Sequence, residues 1–137
     1  MDIAPDQKKC LESKSERFKD IVQVTLPIRT VSEGNSTQHW RIKDKRHKRQ
    51  QSAVAKMLKP LRNKLRLPCE IHLTRYAPRK LDTFDNLPMS MKWIADAVCA
   101  IITGDYRPGR ADGDARIKIT CDQIISKEYA VNILITM

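Results

Sequence analysis

The stretch CEIHLTRYAPRKLDTFDNLPMSMKWIADAVCAIITG, residues 69–104, contains a strand pattern, a charged turn and a helix pattern in direct succession. Apolar and polar residues alternate over 69–74, which is typical of a strand with one buried face. Asn86 suits the cap of a helix. Apolar residues then recur at helical spacing over 91–101, and Gly104 follows as a helix stop. The stretch therefore predicts a strand, a short connection and a helix.

The same two periodicities continue on either side of this stretch. Upstream, residues 21–28 form a β-rich apolar run, and residues 42–58 carry an apolar stripe at helical spacing with Pro60 near its end. Downstream, apolar residues alternate over 117–121 and over 131–135. These two segments predict strands that pair with each other as a hairpin.

The resulting element order is β-α-β-α-β-β. We expect an α+β fold, a single domain in which two helices pack on one face of a mixed, mostly antiparallel four-stranded sheet. Residues 1–20 are polar and without clear period, so we expect a tail or a loosely docked arm there, with the folded domain over 21–137.

The charge of the chain is unevenly distributed. Its 137 residues include 26 Lys or Arg and 16 Asp or Glu, for a formal net charge of +10. Residues 41–80 alone hold fourteen basic residues against two acidic ones, whereas residues 81–137 hold six against eight. A basic block beside an acidic-leaning segment is typical of proteins that act on nucleic acid, although a solvated helix face produces the same block.

The four cysteines are far apart in the sequence, without the short spacing of a zinc site. Three of them fall on the apolar phase of an expected element, which favours small buried thiols in a reducing compartment: Cys69, Cys99 and Cys121. No apolar run approaches the roughly 18 residues that a membrane span requires. We expect a soluble, cytoplasmic protein with no membrane contact.

Two short turns concentrate acidic residues. Asp82 and Asp85 lie in the turn that opens the second expected helix, and Asp112 and Asp114 lie in the turn that opens the strand over 117–121. If the helix packs back along the sheet, we expect the two turns to meet at one edge and to gather three or four carboxylates. Such a cluster repels itself unless a cation fills it.

Carboxylate ligands suit Mg²⁺ or Mn²⁺ rather than zinc. A hard cation generates hydroxide from bound water and neutralises charge on a phosphate, so the matching reaction is phosphodiester hydrolysis. The structural alternative is ordinary, because Asp before a helix is a capping residue and Asp-Gly-Asp is a common turn. The residues by themselves leave both interpretations open.

Four segments together resemble a known family. Residues 35–51 (NSTQHWRIKDKRHKRQQ) are a loop, a His-Trp pair and a basic helix, and residues 73–80 (LTRYAPRK) are a strand with a basic end. Residues 81–97 (LDTFDNLPMSMKWIADA) are the acidic turn and a helix with a Lys, and residues 112–117 (DGDARI) are the second acidic turn. In this order, over roughly residues 21–137, they resemble the RusA family of Holliday junction resolvases, common in phages and prophages.

The resemblance implies a small α+β homodimer that cuts four-way DNA junctions symmetrically, with Mg²⁺ or Mn²⁺ held by three aspartates. By motif position these are Asp82, Asp85 and Asp114, with Asp112 as the substitute for Asp114. Lys92 matches a helix Lys of the family, which implies that it steadies the scissile phosphate or another charge of the substrate. The chain departs from the family in having two residues, rather than one, between its first two aspartates, and in a longer loop over 103–112.

Two sets of basic residues are expected to contact DNA phosphates without reading base sequence. The first set projects from the start of the first helix: Arg41, Lys45, Arg46, Lys48 and Arg49. The second set adjoins the acidic turn: Arg75, Arg79 and Lys80. Among the aromatic residues, Trp40 and Trp93 fit a core better than a base-stacking role. Phe84 is either a DNA wedge or a side chain that buries the turn, and His39 fits a loop or packing role better than that of a general base.

The sequence supports three hypotheses. The first is a metal-dependent endodeoxyribonuclease that resolves four-way junctions as a two-fold dimer, since two equal sites suit two equal strands. The second is a non-catalytic nucleic-acid-binding protein in which the aspartates only cap a helix. The third is a basic protein whose charge binds an acidic protein partner.

Overall fold

The computed structural model describes residues 20–32, 39–107 and 113–137. The described part contains four strands, two α-helices and one short 3₁₀ helix. In chain order they are β1 (Ile21–Leu26), α1 (Trp40–Leu58), the 3₁₀ helix (Lys59–Lys64), β2 (Cys69–Ala77), α2 (Asn86–Thr103), β3 (Ile117–Ile125) and β4 (Ala130–Thr136). The expected order and the α+β class are confirmed. Cys10, Asp112, the expected tail up to residue 19 and the loop over 33–38 lie outside the described residues.

The sheet is mixed, with the strand order β1-β4-β2-β3. β4 pairs antiparallel with β1 and β2, and β2 pairs in parallel with β3. The predicted hairpin between β3 and β4 is therefore wrong. The 18-residue α2 returns the chain to the end of the sheet at which β2 begins, so that β3 runs parallel to β2 and occupies the edge. β4 is left with an interior position, where the inward side chains of Val131, Ile133 and Ile135 are fully buried.

One face of the sheet carries the hydrophobic core. Residues in register across the four strands share this face, as do Val22, Ile135, Ile71 and Ile119. Both helices contribute buried side chains to the same core, and each fully buried aliphatic side chain stabilises the fold by about 1.5–3 kcal/mol. The cysteines agree with their expected role: Cys69 and Cys99 are buried, Cys121 is half-buried, and no disulfide joins any two of them.

Capping explains where the helices begin and end. α1 starts after His39, whose Nδ1 accepts a hydrogen bond from the backbone N–H of Arg41 at 3.2 Å. α2 starts one residue before the expected position, with Asp85 as its N-cap. It ends at Gly104, whose φ of 73° lies in the left-handed region that favours glycine. In the described part of the chain, no helix combines the length and the apolar character needed to cross a membrane.

Candidate functional site

Three strands end and both helices begin at the same end of the sheet. β1, β2 and β3 run in one direction, opposite to β4. His47 and Trp93, each the eighth residue of its helix, stack with ring centroids 4.5 Å apart, so α1 and α2 start side by side. The Ser32 hydroxyl hydrogen-bonds Asn86 Oδ1 at 2.8 Å and joins the exit of β1 to the start of α2. We call this end the strand-end surface; it comprises residues 27–32, 39–45, 78–86 and 126–129.

The strand-end surface is electrostatically positive. The N-termini of both helices face it, and each contributes the equivalent of roughly half a positive charge. Arg79 and Lys80 follow β2 and are exposed, as are Arg41 and Lys45 at the start of α1 and Arg29 after β1. Backbone N–H groups at helix N-termini and basic side chains together attract phosphate groups.

Asp82 and Asp85 lie within this positive surface, in the turn that leads into α2. One side-chain oxygen of Asp82 accepts a hydrogen bond from the backbone N–H of Asp85 at 3.0 Å. The Asp82 carbonyl accepts another from the N–H of Leu87 at 2.8 Å. The Asp85 side chain makes no capping hydrogen bond, and both carboxylates belong to exposed residues. Asp82 therefore shapes the turn, whereas Asp85 presents its carboxylate to solvent.

A glutamine on β3 anchors the beginning of this turn. Gln123 occupies the apolar phase of β3, two residues after Cys121. Its side-chain amide donates a hydrogen bond to the carbonyl of Leu81 at 2.7 Å and accepts one from the N–H of Leu81 at 2.9 Å. The residue next to Asp82 is thus fixed to the sheet through two hydrogen bonds.

Arg75 is buried at the same end of the sheet and connects the loops that follow β1 and β2. It is 6% exposed, and its guanidinium donates hydrogen bonds to the Thr30 hydroxyl at 3.2 Å, the Thr30 carbonyl at 3.3 Å and the Arg79 carbonyl at 3.0 Å. Burial lowers the pKa of this guanidinium below its ordinary value. The sequence predicts that Arg75 contacts DNA phosphate, and this prediction is wrong: the guanidinium is buried among protein acceptors and positions the loops around it.

Asp114 lies at the opposite end of the sheet from Asp82. The parallel register of β2 and β3 starts at Cys69 and Ile117 and continues to the last residue of both strands. Asp114 precedes that start, whereas Asp82 follows the end of β2. The eight residue steps between the two ends of β2 span about 26 Å, at roughly 3.3 Å per residue. The expectation that both acidic turns meet at one edge is wrong, because α2 carries the chain along the sheet before Asp114 is reached.

Asp114 has local partners at that far end. Its carboxylate accepts hydrogen bonds from the backbone N–H of Arg116 at 2.9 Å and from the Arg116 guanidinium at 3.0 and 2.7 Å. These bonds lower the pKa of Asp114 to about 2. Burial raises the pKa of the nearby Cys69 thiol, and the negative charge of Asp114 raises it further. Within one chain, Asp114 closes the turn before β3.

The set of three aspartates implied for a metal site is therefore not assembled in one chain. Among residues 20–32, 39–107 and 113–137, no three His, Cys, Asp or Glu side chains are grouped so that they could hold a metal ion. Asp112, the substitute ligand, lies outside these residues. Asp82 and Asp85 remain as neighbours, and one or two carboxylates combined with water and substrate phosphate are a common ligand set for Mg²⁺.

The basic residues of α1 form an exposed stripe that leads away from the strand-end surface. Four residues recur at about helical spacing and are exposed: Arg41, Lys45, Lys48 and Arg49. The Lys48 ammonium lies 3.0 Å from the Asp44 carboxylate, in a surface ion pair that leaves it accessible. Arg46 is half-buried. These exposures suit phosphate contact, which stays a prediction.

Lys92 is exposed and lies on the same face of α2 as Asp85, the residue at the start of the helix. Seven residues separate it from Asp85, which is close to two full turns and about 10 Å along the helix axis. At that distance the ammonium of Lys92 suits a phosphate next to the one nearest Asp85. Its assignment to phosphate contact stays a prediction.

Two aromatic side chains project from the strand-end surface. Phe84, between the two aspartates, is 87% exposed, so the alternative that it buries the turn is wrong. Trp40 is 65% exposed with the Arg41 guanidinium 5.4 Å from its ring centroid, so its expected place in a core is also wrong. Trp93 is half-buried against His47, in line with a packing role.

Some residues of this surface were not identified from the sequence. The Arg29 guanidinium lies 4.8 Å from the ring centroid of Tyr129, which joins the exit of β1 to the loop before β4. That contact depends on β1 and β4 being neighbours, so no local pattern indicates it. Gln123, and the buried role of Arg75, did carry a signal, since each residue is polar at a position where the alternation of its strand calls for an apolar side chain.

Comparison with known proteins yields no match: neither protein-family models nor curated protein sequences show significant similarity to this chain.

Proposed function

We propose that this protein is a metal-dependent endodeoxyribonuclease that cuts branched DNA, foremost four-way junctions, by hydrolysis of phosphodiester bonds. The observation that carries the proposal is the position of Asp82 and Asp85, two exposed carboxylates set among the basic side chains and helix N-termini of the strand-end surface. A phosphate drawn to this surface is brought next to the groups that bind a cation. We further infer action in the cytoplasm of a bacterium, from a gene of phage or prophage origin.

The two carboxylates fit a hard divalent cation. Asp85 offers both carboxylate oxygens, and Asp82 offers the one that is not bonded to the N–H of Asp85. Mg²⁺, with Mn²⁺ as a substitute, takes such oxygen ligands and completes its shell with water and phosphate oxygens. When bound, the cation would supply an activated water and neutralise charge on the scissile phosphate.

The surroundings of the two carboxylates support DNA as the substrate. Arg79 and Lys80 adjoin them, and the exposed stripe of α1 extends the basic surface over several more phosphates. Phe84 adds an exposed ring that can stack on an unpaired or distorted base step. Basic contacts of this kind recognise shape rather than sequence, which suits a junction.

A second candidate is a non-catalytic protein that binds nucleic acid through the same surface. One observation favours it: Asp82 uses a side-chain oxygen to hold the backbone of its own turn, as a purely structural capping residue does. In that case the basic residues keep their role and the carboxylates only build the start of α2.

The deciding experiment incubates a synthetic four-way junction with the protein in Mg²⁺, in Mn²⁺ and in EDTA. We expect paired incisions that EDTA abolishes. The variant Asp85→Asn should bind the junction at least as well as the original, because less negative charge faces the phosphate, but should not cut it. Asp20→Asn is the matched control, since Asp20 pairs with Arg66 at the opposite end of the sheet.

The outcomes separate the candidates. Cutting by Asp85→Asn at the original rate would refute the site. Salt-sensitive binding of the junction without cutting in any metal would favour the non-catalytic candidate. Absence of binding to any nucleic acid at moderate salt would leave a basic protein with an acidic protein partner.

A further inference from the structure

Trp40, the first residue of α1, is 65% exposed. Tryptophan has the largest apolar side chain, and folded proteins bury most of its surface. Trp93, the other tryptophan of the chain, follows this rule, since it is half-buried and stacks on His47. Exposure alone assigns no role, because single apolar side chains are common on protein surfaces. The position and the neighbours of the Trp40 ring decide what it can bind.

Helical phase places Trp40 on the side of α1 that faces α2. Trp40 precedes His47 by seven residues, which is close to two full turns, so both residues lie on the same face of α1. His47 stacks on Trp93 of α2, and Asn86 precedes Trp93 by the same seven residues. Trp40 on α1 is therefore level with Asn86 on α2, where the two helices start side by side.

This position brings the indole next to the acidic turn. Asp85 is the N-cap of α2 and directly precedes Asn86. The axes of packed helices lie about 8–10 Å apart. Stacked nucleotides of one DNA strand follow each other at intervals of about 3.4 Å. A base on the Trp40 ring would thus belong to a nucleotide roughly two or three positions from the phosphate nearest Asp85.

Cationic side chains accompany the ring. The Arg41 guanidinium lies 5.4 Å from the centroid of the Trp40 ring, within the range of a cation–π contact. Lys45 is exposed one turn beyond Arg41 on α1. The buried centres of protein interfaces are depleted of charged residues, whereas surfaces that bind unpaired nucleic acid combine aromatic rings with basic side chains. The neighbours of Trp40 therefore favour a nucleobase over an apolar protein surface.

The backbone that carries the indole is held in place by the start of α1. His39 Nδ1 accepts a hydrogen bond from the Arg41 N–H at 3.2 Å, and the His39 carbonyl accepts those of Ile42 at 3.0 Å and Lys43 at 3.3 Å. The imidazole of His39 and the indole of Trp40 have ring centroids 5.6 Å apart. The ring thus projects from a capped helix, which reduces the conformational entropy lost when a ligand binds.

An indole stacks on a nucleobase only where one face of that base is free. In a continuous duplex, the neighbouring base pairs cover both faces, and taking a base out of the stack costs free energy. Single strands and branch points offer free faces. Because every base has such a face, stacking depends little on the sequence. The Trp40 ring therefore suits unpaired nucleotides of any sequence.

We propose that Trp40 is a stacking platform for an unpaired nucleobase, and that Arg41 contacts a phosphate next to that base. The platform rests on the nucleic-acid binding of the proposed function, but on neither its cation nor its hydrolysis. It lies on α1, whereas Phe84 lies in the acidic turn itself, so the two rings contact different nucleotides.

Tryptophan fluorescence tests the stacking directly. Trp93→Phe leaves Trp40 as the single tryptophan and keeps an aromatic ring against His47. This variant is titrated in EDTA, which prevents cutting, with a short oligothymidylate and with an abasic oligonucleotide of the same length. The oligothymidylate should quench the emission of Trp40, whereas the abasic strand, with the same phosphates, should leave it nearly unchanged. Equal quenching by both strands, or no quenching by oligothymidylate, would overturn the proposal.

Affinities of variants give a second measurement. Trp40→Ala should bind the oligothymidylate roughly tenfold more weakly, Trp40→Phe should keep most of the affinity, and the salt dependence should stay the same because no charge is removed. Ile42→Ala, which removes another exposed apolar side chain of α1, is the matched control.

A relaxed circular duplex, which has no unpaired base, separates stacking from general binding. Its affinity should be the same for Trp40→Ala and for the original protein. A loss of duplex affinity as large as the loss for oligothymidylate, or an equal loss in Ile42→Ala, would contradict base stacking.

This proposal and the proposed function fail in different ways. A protein that cuts no junction in Mg²⁺ or Mn²⁺, but whose Trp40 emission is quenched as described, would refute the nuclease alone. A protein that cuts junctions while Trp40→Ala binds oligothymidylate as tightly as the original would overturn the stacking platform alone. Absence of binding to every nucleic acid would overturn both.

Discussion

Asp82 and Asp85 occupy the same turn but differ in what their carboxylates contact. An oxygen of Asp82 accepts the N–H of Asp85, whereas the side chain of Asp85 makes no capping bond. Substitution of each residue should therefore have a different effect on stability. Asp82 contributes to the stability of the turn, whereas the binding of a cation is proposed for both residues.

Replacing Asp82 by Ala should lower the free energy of unfolding by about 1 kcal/mol, the usual loss when a capping side chain is removed. Asp85→Ala should leave the stability nearly unchanged, since its carboxylate holds no backbone group. Urea unfolding of the two variants measures the difference. Equal destabilisation by both would contradict the division of roles.

Gln50 on α1 is a buried polar residue whose amide nitrogen and oxygen both lack a hydrogen-bond partner in the described structure. A buried polar group left without a partner costs about 1–3 kcal/mol. Gln50→Leu should therefore raise the free energy of unfolding by about 1 kcal/mol, read as a higher urea midpoint. Gln51→Leu, on the exposed side of α1, is the control. A lower midpoint for Gln50→Leu would show that the amide has a role that the apolar residue cannot fill.

The depressed pKa of Asp114 links stability to pH. Its folded-state pKa of about 2 lies below the ordinary value of 3.8, so the unfolded chain takes up a proton first as the pH falls. The contribution of this carboxylate is present above pH 3.8 and is lost as the pH falls toward 2. Asp114→Asn should be less stable than the original protein at neutral pH and equally stable near pH 2. Unfolding midpoints measured over that range test this; a constant difference would contradict it.

At the scale of elements, the two helices do more than cover the sheet. Each is followed by a strand that runs in the direction of the strand before it, so both helices begin at the same end. This alignment concentrates two positive helix ends at the strand-end surface. The exposed stripe of α1 begins in this surface and leads away from it along the helix, while the 3₁₀ helix lies at the other end of α1.

Removing two charges from the stripe should weaken binding to all DNA alike. We expect the double substitution Lys48→Ala with Arg49→Ala to reduce affinity for junctions and duplexes by the same factor and to flatten the salt dependence. Lys59→Ala with Lys64→Ala removes the same charge from the 3₁₀ helix and is the matched control. DNA affinity measured over a range of salt concentrations distinguishes the two double variants. An equal loss of affinity in both would mean that overall charge, and not the stripe of α1, determines DNA binding.

At the scale of the whole molecule, the last strand in the sequence lies in the interior of the sheet. β4 pairs with β1 on one side and with β2 on the other. The strand-end surface is consequently built from segments distant in the chain. Arg75 joins the loop after β1 to the loop after β2, and Gln123 joins β3 to the acidic turn.

Hydrogen exchange should report this strand order. Amide protons of β4 should exchange most slowly together with those of β2, because both strands have neighbours on two sides, and those of β1 should exchange faster. Native-state exchange followed by nuclear magnetic resonance gives the rates for each residue. Exchange in β4 as fast as in β1 would contradict an interior position for the last strand.

The sequence by itself determined both α-helices and three of the four strands, because each has a local period: alternation for β2, β3 and β4, helical spacing for α1 and α2, and Gly104 as a stop. An apolar run indicated β1, whereas the 3₁₀ helix was not predicted. The sequence also indicated the acidic turn and the basic block beside it. Only the tertiary structure decided which strands are neighbours. An alternating pattern shows that one face of a strand is buried, but it does not show which strand pairs with it. The strand order places β3 at the edge of the sheet and Asp114 far from Asp82. It also buries Arg75, which the sequence predicts at the surface. The physical reason is that burial is a property of the whole sheet, to which residues far apart in the chain contribute together.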